Sequence, residues 1–201
     1  MFAVNRLAFY AAYPSMQHWT AVKRILCYLL GTRDYDITYH YSPDSVSFKG
    51  YANALYKSHD DGKSITGYVF LAAGGAITWC SGKQSVTALS SMEAKYIALW
   101  EAEKEVLWLC NLHNDLGLTQ NNPMHLFTDS TEALKIASNP VFHNKTKHID
   151  PKHHWVREKI QAGRFITEYI PSDEQTADML MKALPWPAHE IHTCSFSLAS
   201  V

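Results

Sequence analysis

The sequence predicts an α/β fold with an antiparallel meander at one side of the sheet and a helical segment before it. After Ser45, three strand candidates come first, a long amphipathic helix follows, and strands then alternate with helices. Hydrophobic residues make up 47% of the 201 residues and charged residues 18%, as is typical of a chain that buries a core. The length suits one domain of ordinary size with an appended element.

Residues 1–45 are the predicted appendage. The stretch "PSMQHWTAVKRILCYLLGT" places Trp19, Val22 and Leu26 at helical spacing, and Gly31 ends the pattern. A short strand, "YDITYHYS", is predicted after it. Because an apolar helix stripe needs a surface to cover it, we expect this segment to pack on the next domain or on one upstream.

Residues 46–185 are predicted to be the main domain, and residues 186–201 a tail without a strong pattern. Ser90 and Glu93 form a capping-box pattern at the start of the long helix, and Ser130 is a ready N-cap for the next one. Asp173 is expected to cap the last helix, which Pro185 ends. The strands are predicted over 45–53, 67–74, 76–83, 124–129 and 164–170, and the helices over 91–116, 131–138, a stretch ending near 161, and 174–184.

Composition excludes several classes of protein. The formal charge of −1 gives no overall attraction to nucleic acid, so any contact with phosphates would have to be local. No apolar run has the length of a membrane span, and the first residues do not resemble a secretory signal, so we expect no membrane association and a cytoplasmic or nuclear location. The widely spaced Cys27, Cys80, Cys110 and Cys194 are expected to be buried reduced thiols.

Two polar residues stand at predicted strand ends. Asn53 ends the first strand of the main domain and Asp129 ends the fourth. Because α/β folds place their chemistry at such ends, these two residues mark the candidate site.

Three long stretches resemble the ribonuclease H region of the Pol polyprotein of copia-type LTR retrotransposons. They are "KSITGYVFLAAGGAITWCSGKQSVTALSSMEAKYIAL", "LFTDSTEALKIASNPVFHNKTKHID" and "DEQTADMLMKALP", and "HWTAVKRILCYLLGT" is similar to the segment that joins the reverse transcriptase to that region. The resemblance covers roughly residues 3–185. It implies a ribonuclease H-like fold, a five-stranded mixed sheet flanked by helices. It also implies two partners, an RNA–DNA hybrid and an upstream reverse transcriptase domain that this chain lacks.

The implied reaction is endonucleolytic cleavage of the RNA strand by two-metal hydrolysis with Mg²⁺ or Mn²⁺. The family supplies four carboxylates for the metals. The resemblance assigns two of them to Asp129 and Asp178 as metal ligands. The first position departs from the family, because this chain has Asn53 where the family has aspartate, and Leu55 where it has a second acidic residue.

The helix position has two candidates. Glu93 also fits the capping box, whereas the spacing in other ribonucleases H points to position 95, which is Lys95 here. Residues two apart on a helix point about 200° apart, so both cannot face one metal. The four side chains carry a formal charge of −1 with Lys95 in the set and −3 with Glu93.

Substrate contacts are assigned to four lysines, with ordinary solvated lysines as the alternative. A histidine-rich stretch could also suggest zinc, but it lacks cysteine partners and compact spacing. The lysines are Lys83, Lys145, Lys147 and Lys152, and the histidines His143, His148, His153 and His154.

The sequence therefore predicts a retrotransposon-derived ribonuclease H domain whose cleavage and metal binding are impaired by Asn53 and Lys95. The alternative is a non-catalytic module that retains the fold and binds nucleic acid or protein. A third hypothesis, a fragment that folds poorly without its polymerase, is disfavoured by the near-complete set of elements.

Overall fold

The computed structural model describes residues 1–40, 48–58, 61–117, 123–138 and 165–200. The helices in these ranges are α1 (Phe2–Ala8), α2 (Met16–Gly31), α3 (Ser91–Asp115), α4 (Thr131–Ser138) and α5 (Trp186–Ser195). The strands are β1 (Tyr35–Ile37), β2 (Lys49–Leu55), β3 (Ile65–Ala72), β4 (Gly75–Lys83), β5 (Met124–Thr128), β6 (Phe165–Tyr169) and β7 (Leu198–Ser200).

Five strands form one mixed sheet in the order β4-β3-β2-β5-β6. The first three make the predicted antiparallel meander, and β5 and β6 run parallel to β2. The meander and the flanking α3 and α4 confirm the predicted five-stranded mixed sheet with helices against it, preceded by N-terminal helices.

The side chains of β2 point alternately to the two faces of the sheet and pack in a different core cluster on each face. Ala52 and Ala54 lie in core clusters with residues of α3, such as Leu99 and Ile97. Tyr51 lies on the other face, in a cluster with Leu180. Because side chains alternate along a strand, Asn53 shares the face of Tyr51.

The predicted last helix is wrong in its form. Two 3₁₀ turns, Ser172–Glu174 and Thr176–Leu180, replace a helix over 174–184. Asp173 lies inside the first turn, and Gln175 caps the second by accepting a hydrogen bond from the backbone N–H of Ala177. Gln175 is fully buried and also donates to the Ala52 carbonyl at 3.3 Å, so its contact with β2 separates the segment into two short 3₁₀ turns.

The tail is ordered, contrary to the weak pattern of its sequence. It forms α5 and then β7, which pairs antiparallel with β1. Phe196 between them is 7% exposed and packs with Val69 and Ala76 of the meander. A three-residue strand is too short to show an alternating pattern in the sequence. Its partner strand is more than 150 residues away, so the pairing could not be predicted from local sequence.

Two side chains of α1 donate hydrogen bonds to the main domain. Asn5 donates to the Ser81 carbonyl at 2.5 Å and Arg6 to the Ser58 carbonyl at 2.6 Å. Ser15 caps α2 by accepting a hydrogen bond from the His18 N–H, yet no residue of α2 is buried. Strand β1 is shorter than the predicted 35–42, part of which lies outside the described residues. The boundaries at 45 and 185 remain predictions.

In the part of the chain that the structure describes, no helix combines the length and apolar character needed to cross a membrane.

Candidate functional site

The structure brings four of the predicted site positions together at one edge of the sheet. Asn53 lies near the end of β2, and Asp129 directly follows the neighbouring parallel strand β5. Lys95 lies in the second turn of α3, and Asp178 lies on the second 3₁₀ turn. Parallel strands end at the same edge of a sheet, which is why residues 76 apart in sequence meet here.

Asn53 bridges the two carboxylates as a donor. Its Oδ1 accepts a hydrogen bond from the Ala54 N–H at 2.8 Å, which fixes the orientation of the amide. Its Nδ2 therefore faces the acids and donates to Asp129 Oδ2 at 3.2 Å and to Asp178 Oδ1 at 2.8 Å. Asn53 is 2% exposed, so both of its amide N–H groups and its oxygen are used inside the protein.

Lys95 forms an ion pair with Asp129. The distance from Lys95 Nζ to Asp129 Oδ1 is 2.8 Å, and the Asp129 side chain is 5% exposed. Ser172 Oγ donates to the other oxygen of Asp129 at 3.0 Å. Asp129 thus receives hydrogen bonds from an ammonium, an amide and a hydroxyl.

Asp178 forms an ion pair with Lys182, four residues further along the chain. Lys182 Nζ lies 2.5 Å from Asp178 Oδ2. His192 of α5 is close enough for the Asp178 carboxylate to raise its pKa, but burial of the imidazole has the larger effect and the pKa of His192 is lowered. The imidazole is therefore biased towards its neutral form.

Glu93 has a structural role at the start of α3. Its backbone N–H donates to Ser90 Oγ at 3.1 Å, and its Oε2 accepts from the Leu89 N–H at 2.9 Å. In the predicted capping box the Glu93 side chain would accept from the Ser90 N–H. In the structure it accepts from the N–H of the preceding residue, Leu89. Of the two helix candidates, Lys95 is the one bonded to Asp129.

The side chains gathered at this site do not make a suitable ligand set for a divalent metal. Mg²⁺ needs oxygen ligands and an excess of negative charge. Here two carboxylates face two ammonium groups, so the local formal charge is zero, and Asn53 Oδ1 already accepts from the backbone. Among the described residues there is also no group of three or more histidine, cysteine, aspartate or glutamate side chains able to hold a metal.

The predicted substrate-contacting lysines are only partly described. Lys83 pairs with Asp61 at 2.5 Å and lies 5.2 Å from the centre of the Phe9 ring. Its ammonium is therefore engaged within the protein. Lys145, Lys147, Lys152 and the four histidines of the zinc hypothesis lie outside the described residues.

The four cysteines are free thiols, as predicted. The expectation that all are buried is wrong for Cys27 and Cys194, which are exposed on α2 and α5. Both helices lie at the surface of the described structure. Cysteine is usually a buried residue type, and that general preference was misleading at these two positions.

Three residues near the site were not predicted from the sequence: Ser172, Lys182 and His192. Lys182 has a sequence signal, since it stands four residues after Asp178. Ser172 and His192 have none, because each reaches the site from a different part of the fold.

The chain is similar in sequence to Pol polyproteins of retrotransposons. No protein-family model matches the chain. It is 40% identical over 184 residues, 91% of its length, to the retrovirus-related Pol polyprotein from transposon TNT 1-94 of Nicotiana tabacum, and 35% identical over 91% of its length to that from transposon RE2 of Arabidopsis thaliana. The chain spans 14% and 13% of the lengths of these relatives.

Solved structures share the fold. LC11-RNase H1, a ribonuclease H1 isolated from compost, superposes with a TM-score of 0.52 at 17% identity, over 67% of this chain and 92% of that one. The same protein in complex with an RNA/DNA hybrid also gives 0.52, at 14% identity, over 67% and 94% of the two chains. At these identities the likeness concerns the fold alone.

Proposed function

Because this chain belongs to the ribonuclease H region of the Pol polyproteins of copia-type LTR retrotransposons, we propose that it is a hybrid-binding domain in which the inherited cleavage reaction is lost. The inherited reaction is metal-dependent hydrolysis of RNA in an RNA–DNA hybrid. A divalent metal would activate the attacking water and stabilise the leaving oxygen. The residues that the structure describes offer no matching ligand set.

The observation that carries the proposal is the bond from Lys95 to Asp129. An ammonium 2.8 Å from a 5% exposed carboxylate opposes any cation brought to the same oxygen. Even at an effective dielectric constant of about 20, two like unit charges about 4 Å apart repel by roughly 4 kcal/mol. Asn53 adds two donors where a ligand would have to accept, so both substitutions disfavour metal.

Binding of a hybrid is the part of the function that needs no metal ligand. The fold is that of a protein solved with an RNA/DNA hybrid, and phosphate contacts would be local because the chain carries a formal charge of −1. Such contacts position a duplex without reading its sequence. A protein-binding module on the same fold is the alternative.

The cleavage test compares the chain with the double variant Asn53→Asp, Lys95→Glu on a labelled RNA–DNA hybrid with Mg²⁺ or Mn²⁺. We expect no metal-dependent product from the unmodified chain and at least about 100-fold more from the double variant. Lys95→Met is a control that removes the ammonium without supplying a carboxylate, and it is expected to stay inactive. Metal-dependent cleavage by the unmodified chain would overturn the proposal.

Binding is measured separately, by titrating a fluorescent hybrid with the unmodified chain at low and high salt. We expect association at low salt that weakens as salt is raised, because phosphate contacts release counter-ions. DNA duplex and double-stranded RNA of equal length serve as comparators. Absence of hybrid binding at low salt would rule out this part of the proposal and favour the protein-binding alternative.

A further inference from the structure

We infer that Lys95 has taken over the structural role of a metal ion, so that Asp129 and Asp178 now form part of a metal-independent polar centre that holds the fold together. The inference rests on the proposed loss of metal-dependent cleavage. It adds a reason why two buried aspartates remain in a site that cannot use them for catalysis.

Two carboxylates at one site need compensation. Asp129 and Asp178 are both 5% exposed in their side chains, and both accept from the same nitrogen, Asn53 Nδ2. Buried carboxylates this close repel each other unless cations or donors lie between or beside them. In a metal-loaded site the metal supplies that compensation.

In this chain the compensation comes from the protein's own side chains, through hydrogen bonds and ion pairs. Asn53 lies between the two acids, Lys95 pairs with Asp129, and Lys182 pairs with Asp178. Lys182 forms a local ion pair with a residue four positions earlier, and its side chain is 38% exposed. Lys95 is the more buried cation, 24% exposed, and it reaches across from α3 to the residue after β5.

The network therefore ties four elements to one point. Asn53 belongs to β2, Lys95 to α3, Asp129 follows β5, and Asp178 lies on the second 3₁₀ turn. Ser172 brings in the first 3₁₀ turn as a fifth contact. Removal of one partner of a buried ion pair leaves the other charge uncompensated, which costs more than the pair contributes.

The consequence is a difference in how metal affects stability. The described residues of the unmodified chain present no free oxygen cluster for Mg²⁺, so we expect its folded state to gain no stability from metal. The double variant Asn53→Asp, Lys95→Glu faces four carboxylates towards one another, and its folded state is stabilised by any divalent cation that binds there.

The experiment is thermal unfolding in EDTA and in millimolar Mg²⁺ or Mn²⁺ at matched ionic strength, without nucleic acid. The unmodified chain should have the same Tm in all three conditions. Lys95→Met should lower the Tm by roughly 5–10 °C in all three. The double variant should melt low in EDTA and regain Tm with metal.

Lys104→Met is the matched control, because Lys104 lies on the same helix and is exposed, 4.0 Å from the centre of the Trp100 ring. The Tm of Lys104→Met should be close to that of the unmodified chain. If the double variant does not fold, the unmodified chain and Lys95→Met still decide the matter, with Mn²⁺ binding to the unmodified chain followed by electron paramagnetic resonance.

Two results would overturn the inference. One is a rise in the Tm of the unmodified chain with metal, or bound Mn²⁺ in its spectrum. The other is a Tm of Lys95→Met equal to that of Lys104→Met. Neither measurement involves a hybrid, so failure of hybrid binding leaves this inference standing, and its own failure leaves hybrid binding untouched.

Discussion

Asn53 and Glu103 show how single buried polar residues act in opposite ways in this protein. Asn53 uses its amide nitrogen and its amide oxygen in hydrogen bonds with Ala54, Asp129 and Asp178. Glu103, on α3, is fully buried, and neither of its carboxylate oxygens has a hydrogen-bond partner in the described structure. Burial raises the pKa of Glu103 well above its ordinary value, so folding favours its protonated form.

Replacement of Glu103 by methionine should stabilise the protein. Methionine has a similar length and no group to leave unsatisfied, so we expect the free energy of unfolding to rise by about 1–3 kcal/mol near neutral pH. Denaturant unfolding measures the change. Glu132→Met, at an exposed residue in the first turn of α4, is the control and should change stability little.

The same change should alter the pH dependence of stability. A raised pKa in the folded state means that Glu103 destabilises the unmodified protein least below its unfolded-state pKa, and that its destabilising contribution grows as pH rises towards the folded-state pKa. The advantage of Glu103→Met should therefore shrink from neutral pH towards about pH 4, near the unfolded-state value. An advantage that is constant over this range would contradict a protonated Glu103.

At the scale of elements, β3 and the second 3₁₀ turn are in unusually close contact. A β-carbon added to Gly67 would lie 2.9 Å from the Ala177 carbonyl oxygen and 3.2 Å from Leu180. Glycine is required here because a backbone atom, which cannot rotate away, occupies the space. This contact positions Asp178 against Asn53.

Gly67→Ala should push the 3₁₀ turn away from the sheet and destabilise the fold by about 1–3 kcal/mol. Gly82→Ala is the matched control in β4, where the nearest atom to the added carbon is Cys80 Sγ at 3.7 Å. It should stay within about 0.5 kcal/mol of the unmodified chain. Equal unfolding midpoints for the two variants in urea would contradict a tight contact at Gly67.

At the scale of the molecule, the last described part of the N-terminal segment and the tail meet at the β3–β4 turn. Strand β7 pairs with β1, the His40 N–H donates to the Ala73 carbonyl at 2.7 Å, and Ser197 Oγ donates to the Gly74 carbonyl at 2.5 Å. Phe196 anchors this junction in the cluster with Val69. The tail thus links the N-terminal segment to the main sheet.

Phe196→Ala should loosen this junction and cost about 3 kcal/mol or more, as expected for a buried aromatic side chain. The Thr38 N–H donates to the Ser197 carbonyl at 3.1 Å, so its protection from hydrogen exchange should fall in the variant. Ile191→Ala, at a residue 63% exposed on α5, is the control. Unchanged protection of Thr38 in Phe196→Ala would show that the tail does not hold β1.

The sequence by itself determined the elements of the main sheet, because β2 to β6 and α3 each carry a strong period bounded by turn or capping residues. Strand ends also pointed to Asn53 and Asp129, and the resemblance to the family added Asp178 and a helix position held by either Lys95 or Glu93. Local patterns were misleading where contacts between distant residues override propensity: Gln175 anchors two 3₁₀ turns on β2 in place of a helix, and β7 exists through pairing with β1.

Only the tertiary structure decided what the four site residues do to one another. From the sequence, Lys95 and Glu93 were both candidates for one helix position, and the amide of Asn53 could have faced either way. Strand order brings Asp129 beside Asn53, and α3 directs Lys95 at Asp129 while Glu93 bonds Leu89. The physical reason is that charge and hydrogen-bond direction act over a few ångströms, a distance that the folded chain sets and the linear sequence does not.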